Sequence, residues 1–269
     1  MNLDQSIRGL VRNRVPRPLL LAAKRVIHAG GGRTCLVCGA TVRRFLPQGY
    51  GHPILEELQV VGGMRKPNDE CPICRANDRV RLIDLYVEHH SDILIRPTRL
   101  LHVAPEPALA EKWARRRLLD YVPADLDKAR YRHLAGLVVC DLQALPFSGD
   151  SFDWVVCNHV LEHVPDDRLA MREIRRVLKP GGRAILQVPL AMRRSHTDDA
   201  PDLEDRAARV ARFGQSDHVR LYGLDYYSRL AQAGLEVELW SAFAEDLERA
   251  RAADLNPLEM LTIARRPGG

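Results

Sequence analysis

The sequence predicts an α/β protein, with a doubly wound, mostly parallel sheet, an antiparallel edge hairpin and a small N-terminal zinc-binding module. Three observations carry this expectation. From residue 99 onward, short apolar runs alternate with helical segments. Ahead of them, four cysteines fall into two C-x2-C pairs. With 269 residues, 46% of them hydrophobic, the chain is long enough to bury one large core beside a small module. The expected division is a basic amphipathic arm over residues 1–32, the four-cysteine module with a connecting helix over 33–92, and the α/β domain over 93–269.

The arm comes first. Residues 1–33 hold seven basic side chains against Asp4 alone, a net +6, which leaves the other 236 residues at −1 within a total of +5. Leu19, Leu20, Leu21, Val26 and Ile27 are interleaved with Lys24 and Arg25. Such a segment suits an anionic membrane surface, a nucleic acid, or packing against its own domain. No run approaches the roughly 20 apolar residues of a membrane span. Leu19–Ala23 is too short for a signal-peptide core and has Lys24-Arg25 directly behind it. A cytoplasmic protein is expected, peripheral at most to a membrane.

The module follows. Cys35-Leu-Val-Cys38 and Cys71-Pro-Ile-Cys74 are separated by 32 residues. Two intervening residues let both sulfurs of a pair reach one ion, and two such pairs complete a tetrahedral four-thiolate site. The expected ligand set is therefore Cys35, Cys38, Cys71 and Cys74 around a structural zinc. Disulfides are the weaker explanation in a reducing compartment. Cys140 and Cys157 lie inside apolar runs and read as buried thiols without chemistry.

In the remaining chain the expected strands are Arg99–Ala104, Tyr121–Ala124, Leu137–Asp141, Phe152–Asn158 and Arg183–Pro189. Their continuous apolar character fits a parallel sheet covered on both faces. A helix follows Pro165, with Asp166 and Asp167 at its start, Ala170, Ile174, Val177 and Leu178 on its apolar face, and Lys179-Pro180-Gly181-Gly182 as its stop. A helix over Leu224–Ala233, an alternating strand over Leu235–Leu239 and a last strand near Leu258–Ala264 complete the edge.

Residues 140–189 contain Asp141, Leu145-Pro146-Phe147, Ser151-Phe152-Asp153, Leu161-Glu162-His163-Val164 and Arg176-Val-Leu-Lys-Pro-Gly-Gly182. This block resembles the centre of class I S-adenosylmethionine-dependent methyltransferases, which have a Rossmann-like fold. The resemblance covers residues 99–190 well, with a compatible tail to 265. It implies S-adenosylmethionine as cofactor and leaves the acceptor open. Overlaid on that family, Leu100–Leu109 occupies the glycine-rich first motif and departs from it. His102 stands where an acid is usual, and Ala104, Pro105 and Glu106 replace the glycine turn. Because this cofactor carries no phosphate, a phosphate cradle is not required. The resemblance further implies Asp125 for the ribose hydroxyls, Asp141 for the adenine amino group with the Leu142 backbone N–H beside it, and Asn158 and His159 near the transfer point.

For the acceptor, a hydroxyl needs a base near neutral pKa, which histidine supplies. The stretch Phe213–Gly223 offers His218 as base, Asp217 as its orienting carboxylate, and Arg220 and Tyr222 as donors. His163 is the rival base. Two enzymatic readings result. One is O-methylation of a sugar hydroxyl on a glycan, lipid-linked saccharide or glycosylated metabolite. The other is RNA methylation through a zinc-ribbon-like substrate module, against which stand 6% aromatic content and a body without a basic stripe. A third reading makes the chain a non-catalytic, zinc-stapled binding protein.

Overall fold

The computed structural model describes residues 16–268; residues 1–15 of the expected arm lie outside that range. Helix α1 (Arg17–His28) has a proline in its first turn, where the missing N–H costs nothing. It leaves Leu19, Val26 and Ile27 exposed, while Leu21 packs on the core. No described helix is long and apolar enough to cross a membrane.

Two short antiparallel ladders then present the cysteines. Ala29–Thr34 pairs with Thr41–Val42 around the first C-x2-C turn, and Leu46–Gln48 pairs with Lys66–Glu70, which runs into the second. The two turns are built alike. Cys35 N–H donates to Ala40 O and Cys71 N–H to Ala76 O, both at 2.9 Å, and each turn passes through a left-handed residue, Gly39 or Arg75.

Helix α2 (Asp78–His89) starts where the Asn77 side chain accepts from Val80 N–H. Its Arg81 is fully buried and lies 3.9 Å from the Phe45 ring centroid. Nη1 donates to Asp69 O at 2.6 Å and Ala76 O at 2.8 Å, and Nε donates to Ala253 O at 2.9 Å. One side chain thus satisfies carbonyls from the cysteine module and from a segment over 170 residues away. The module shares its core with one sheet face: Cys35, Phe45 and Tyr86 belong to the same buried cluster as Leu100, Trp154 and Ile263.

The sheet is assembled from β1 (Thr98–Val103), then helix α3 (Pro107–Trp113), β2 (Leu119–Asp125), β3 (Val138–Val139), β4 (Phe152–Asn158), helix α4 (Asp167–Val177), β5 (Leu178–Gln187), helices α5 (Arg206–Phe213) and α6 (Tyr226–Gln232), β6 (Glu236–Trp240) and β7 (Leu261–Arg265). The strand order is β3-β2-β1-β4-β5-β7-β6, with β7 antiparallel to both neighbours. The expected fold class is observed, and β7 is inserted inside the edge pair. The order reverses between β1 and β4, which places a crevice at their carboxyl ends. Helix α4 is capped by Asp166 as expected, accepting from Leu169 N–H. It stops at Val177, earlier than the Lys-Pro-Gly-Gly run, whose irregular backbone opens β5 instead.

Arg81→Lys is expected to lower unfolding free energy by about 3 kcal/mol, since an ammonium cannot serve three separated carbonyls and each bond to a charged donor contributes roughly 1.5–3 kcal/mol. Denaturant melts check this, and an unchanged midpoint would refute the role given to Arg81.

Candidate active site

At the end of β1, Ala104 adopts φ +49 and donates its N–H to Ala124 O at 2.8 Å. The left-handed turn that glycine supplies without strain is here made by alanine. Pro105 is buried behind it, and Pro107 opens α3. Glu106 sits between them with its carboxylate held on both sides. Oε2 lies 2.8 Å from His102 Nε2, and Oε1 accepts from the Asn158 amide. Burial alone would raise the Glu106 pKa, but the bonds from His102 and Asn158 outweigh it and hold the carboxyl below its ordinary range.

His102 occupies a position of the first motif, where the resemblance implies a contact with the cofactor. Its ring is instead fully buried, with Nδ1 2.9 Å from the Tyr121 hydroxyl, so it backs Glu106 and does not reach the crevice. The inward-facing period of β1 puts it there. Asp125, half-buried at the end of β2, accepts from Asp127 N–H at 2.6 Å. Asp141 is exposed just past β3 and accepts from Gln143 N–H at 2.8 Å, beside the buried Leu142. Asn158 is buried at the end of β4, and its Oδ1 has no hydrogen-bond partner. Ala104, Glu106, Asp125, Asp141, Leu142 and Asn158 therefore gather along one line of strand ends.

His159 leaves that line. With φ +55 it turns the chain left-handed. Its side chain lies against the Arg79 guanidinium, 3.0 Å from both ring nitrogens, and beside Gly62, where a Cβ would come within 3.1 Å of the ring. Burial, and then Arg79, push the His159 pKa down to about 4, so the ring is neutral. It lines a cavity of about 320 Å³ between the cysteine module and the sheet. Lys66, Asp69, Asp78 and Arg79 line the module side, and Glu162, His163 and His218 the other.

The relation of Asp217 to the histidines corrects the sequence expectation. The Asp217 carboxylate is largely exposed and lies 3.6 Å from His163 Nδ1, while its carbonyl lies 3.1 Å from the same nitrogen. His218 faces Glu162 instead, at 4.0 Å, and its ring packs edge-on against His163. Neighbouring residues in an irregular segment point apart, so adjacency in sequence did not give contact. Burial lowers the His218 pKa, the opposite of the rise that an adjacent carboxylate would give.

Arg220 and Tyr222 are likewise not donors to a ligand. Arg220 is buried, donates to the Leu161, Val164 and Pro165 carbonyls, and pairs with Asp199 at 2.7 Å. The Tyr222 hydroxyl donates to Asp167 at 2.8 Å. The 161–165 turn has carbonyls without ladder partners, and Arg220 satisfies them. Sequence reasoning missed Arg79, Lys66, Asp69 and Asp78, which belong to no recognisable motif. Glu162 lies within the Leu161–Val164 motif, which by itself carries no role for it.

Residues 104–186 match the family described as "Methyltransferase domain". That segment is the chain's methyltransferase-like domain. The match begins at Ala104, so the four-cysteine module lies outside it. The chain is 43% identical over 56 residues to a demethylmenaquinone methyltransferase of Staphylococcus haemolyticus, covering 21% of this chain and 23% of that protein. It is 33% identical over 91 residues to the uncharacterized methyltransferase YcgJ of Bacillus subtilis, covering 34% of each. These matches span about a quarter to a third of the relatives' own lengths. Among solved structures, an S-adenosylmethionine-dependent methyltransferase from Mesorhizobium loti aligns with a TM-score of 0.45 at 20% identity, covering 64% of this chain and 93% of that one.

Within this methyltransferase domain, Ala104→Gly is expected to raise stability by about 1 kcal/mol, because the strain of a left-handed alanine exceeds the added chain entropy of glycine. Thermal and urea unfolding measure it. A loss of stability would show that Ala104 is not held left-handed.

Proposed function

We propose that this chain transfers the methyl group of S-adenosylmethionine to a hydroxyl of a small polar acceptor, most simply a sugar hydroxyl on a glycan, lipid-linked saccharide or glycosylated metabolite. One observation carries the reading. The 320 Å³ cavity adjoining the strand ends is lined on both walls by charged and imidazole side chains, with carboxylates from Asp69, Asp78 and Glu162. Carboxylates and imidazoles suit vicinal hydroxyls, which donate and accept at once. An apolar quinone ring would leave these groups without partners, at a cost of about 1–3 kcal/mol each.

The crevice side fits the cofactor. When bound, S-adenosylmethionine supplies an electrophilic methyl on a sulfonium centre. The ionised Glu106 and the unpartnered Asn158 Oδ1 suit its ammonium group. Asp125, an acceptor-only side chain, suits the ribose hydroxyls, and Asp141 with the Leu142 N–H suits the adenine edge. The left-handed turn at Ala104, with no side chain beyond Cβ, leaves room beside them. The reversal at His159 then sets the acceptor cavity against the cofactor crevice, and in-line displacement depends chiefly on such placement.

The module side fits zinc as a structural ion. Cys35 and Cys74 sulfurs lie 3.6 Å apart, and Cys38 and Cys71 sulfurs 3.9 Å apart. Tetrahedral thiolates at the usual bond length would stand about 3.8 Å apart. All six cysteines are free in the structure. With such an ion the module would hold Lys66, Asp69 and Arg79 in place as the cavity's outer wall.

Two measurements test these assignments. Calorimetry should show S-adenosylmethionine binding, weakened about 10–100-fold in Asp125→Ala through loss of a charged acceptor; no binding by the wild-type chain would remove the enzymatic reading. Elemental analysis of protein purified without added metal should find about one zinc per chain, lost together with stability in Cys71→Ser. Metal-free protein that melts like the metal-loaded form would remove the structural zinc.

A further inference from the structure

We propose that Glu162, His163 and His218 form a second metal site, which holds a divalent transition-metal cation at the cavity wall. One ligand atom from each of the three lies within 4.8 Å of the others. Proximity alone would not make a site, but two independent features point to an ion. Glu162 is 1% exposed; its Oε1 lies 3.2 Å from His159 Nδ1 but outside hydrogen-bond geometry, and neither oxygen has a hydrogen-bond partner. His218 is 2% exposed, and neither ring nitrogen has a partner. A buried carboxylate and a buried imidazole that face each other without donors leave lone pairs that a cation would satisfy.

His163 supplies a third feature. Its Nδ1 lies 3.1 Å from the Asp217 carbonyl, so an Nδ1–H donated there leaves Nε2 with the free lone pair. Metal-binding histidines commonly anchor the opposite nitrogen on a backbone carbonyl in this way. His163 is also the most exposed of the three and leaves the open coordination side toward the cavity. His159 is near, 3.2 Å from Glu162, but the Arg79 guanidinium occupies its ring edge and keeps it out of the ligand set.

Two imidazoles and one carboxylate are the donor set of catalytic zinc and non-haem iron sites, and disfavour magnesium or calcium, which take oxygen ligands. Ligand atoms around such an ion would stand about 3.4 Å apart, so small side-chain rotations close the set. The charges nearby favour a cation. Lys66 is paired with Asp78 and lies 3.7 Å from Glu259, which leaves Arg79 as the other lining cation for two further lining carboxylates, Glu162 and Asp69. The role of the ion rests on the acceptor reading above: it would bind and polarise an acceptor oxygen in the cavity. Its binding does not rest on that reading.

Cobalt titration of the purified, zinc-loaded chain tests the site. Cobalt bound by nitrogen and oxygen gives weak visible bands, whereas thiolate ligation adds intense sulfur-to-metal charge transfer. About one further equivalent of cobalt should bind with weak bands only. Glu162→Gln and His218→Asn should each weaken that binding by at least about 100-fold, while the thiolate-held zinc and S-adenosylmethionine affinity remain. A wild-type chain that takes up no cobalt beyond the thiolate site overturns the proposal, as does Glu162→Gln that binds it unchanged. If the second ion binds and no hydroxyl acceptor is methylated, the acceptor reading fails and the metal site stands. If a sugar hydroxyl is methylated at full rate with only the thiolate site filled, the role of the second ion fails.

Discussion

Two consecutive side chains at the carboxyl end of β4 enter two different compartments because His159 is left-handed. Asn158 continues the strand's alternation and meets Glu106 in the crevice, whereas His159 is thrown toward the cysteine module. The reversal is held from both sides: His159 N–H donates to Gln187 O at 2.8 Å, and Arg79 lies on the imidazole. A non-glycine residue keeps such a conformation only where its surroundings over-determine it. Crevice and cavity are back to back because of this single turn. Widening it would separate the acid line on β1 to β4 from the imidazole cluster that follows.

The outer wall of the cavity comes from residues that precede the matched domain. Lys66 and Asp69 reach it from the strand that leads into the second cysteine turn, and Arg79 from α2, which follows that turn and is locked by the buried Arg81. Asp69 shows how tightly this wall is packed. Its carboxylate accepts from Asp78 N–H at 2.8 Å, and burial with the neighbouring Asp78 charge pushes its pKa up to about 6. The module is thus a component of the cavity and not a separate appendage, which its shared core with the sheet also indicates.

Much of this was legible in the sequence, and the limits have physical causes. The parallel strands announced themselves as apolar runs, and Asp166 as a helix cap, because burial on both faces and local capping leave short-range signatures. Asp125 and Asn158 could be placed since each ends a strand, and Asp141 since it follows one by two residues. The left-handed state of Ala104 was not legible, because alanine carries no signal for it and only the surrounding packing imposes it. The expected pairing of Asp217 with His218 failed for a similar reason: Asp217 lies beside His163 instead, and contact across 54 residues is decided by how the turn at 161–165 is clamped. Arg220 does that clamping, and its polar character looked like ligand chemistry.

The position of β7 has a consequence for assembly. It is the last of the seven strands in sequence, yet it lies inside the sheet, between β5 and β6. Beyond it, Arg266 donates to the Leu178 carbonyl and exchanges backbone bonds with Gly181 and Gly182, closing the entrance to β5. During vectorial synthesis β1 to β5 can pair as they emerge, but β6 has no partner until β7 arrives. The nascent sheet therefore waits with one apolar edge open, a state in which a domain depends on chaperones or fast completion to avoid edge-to-edge association.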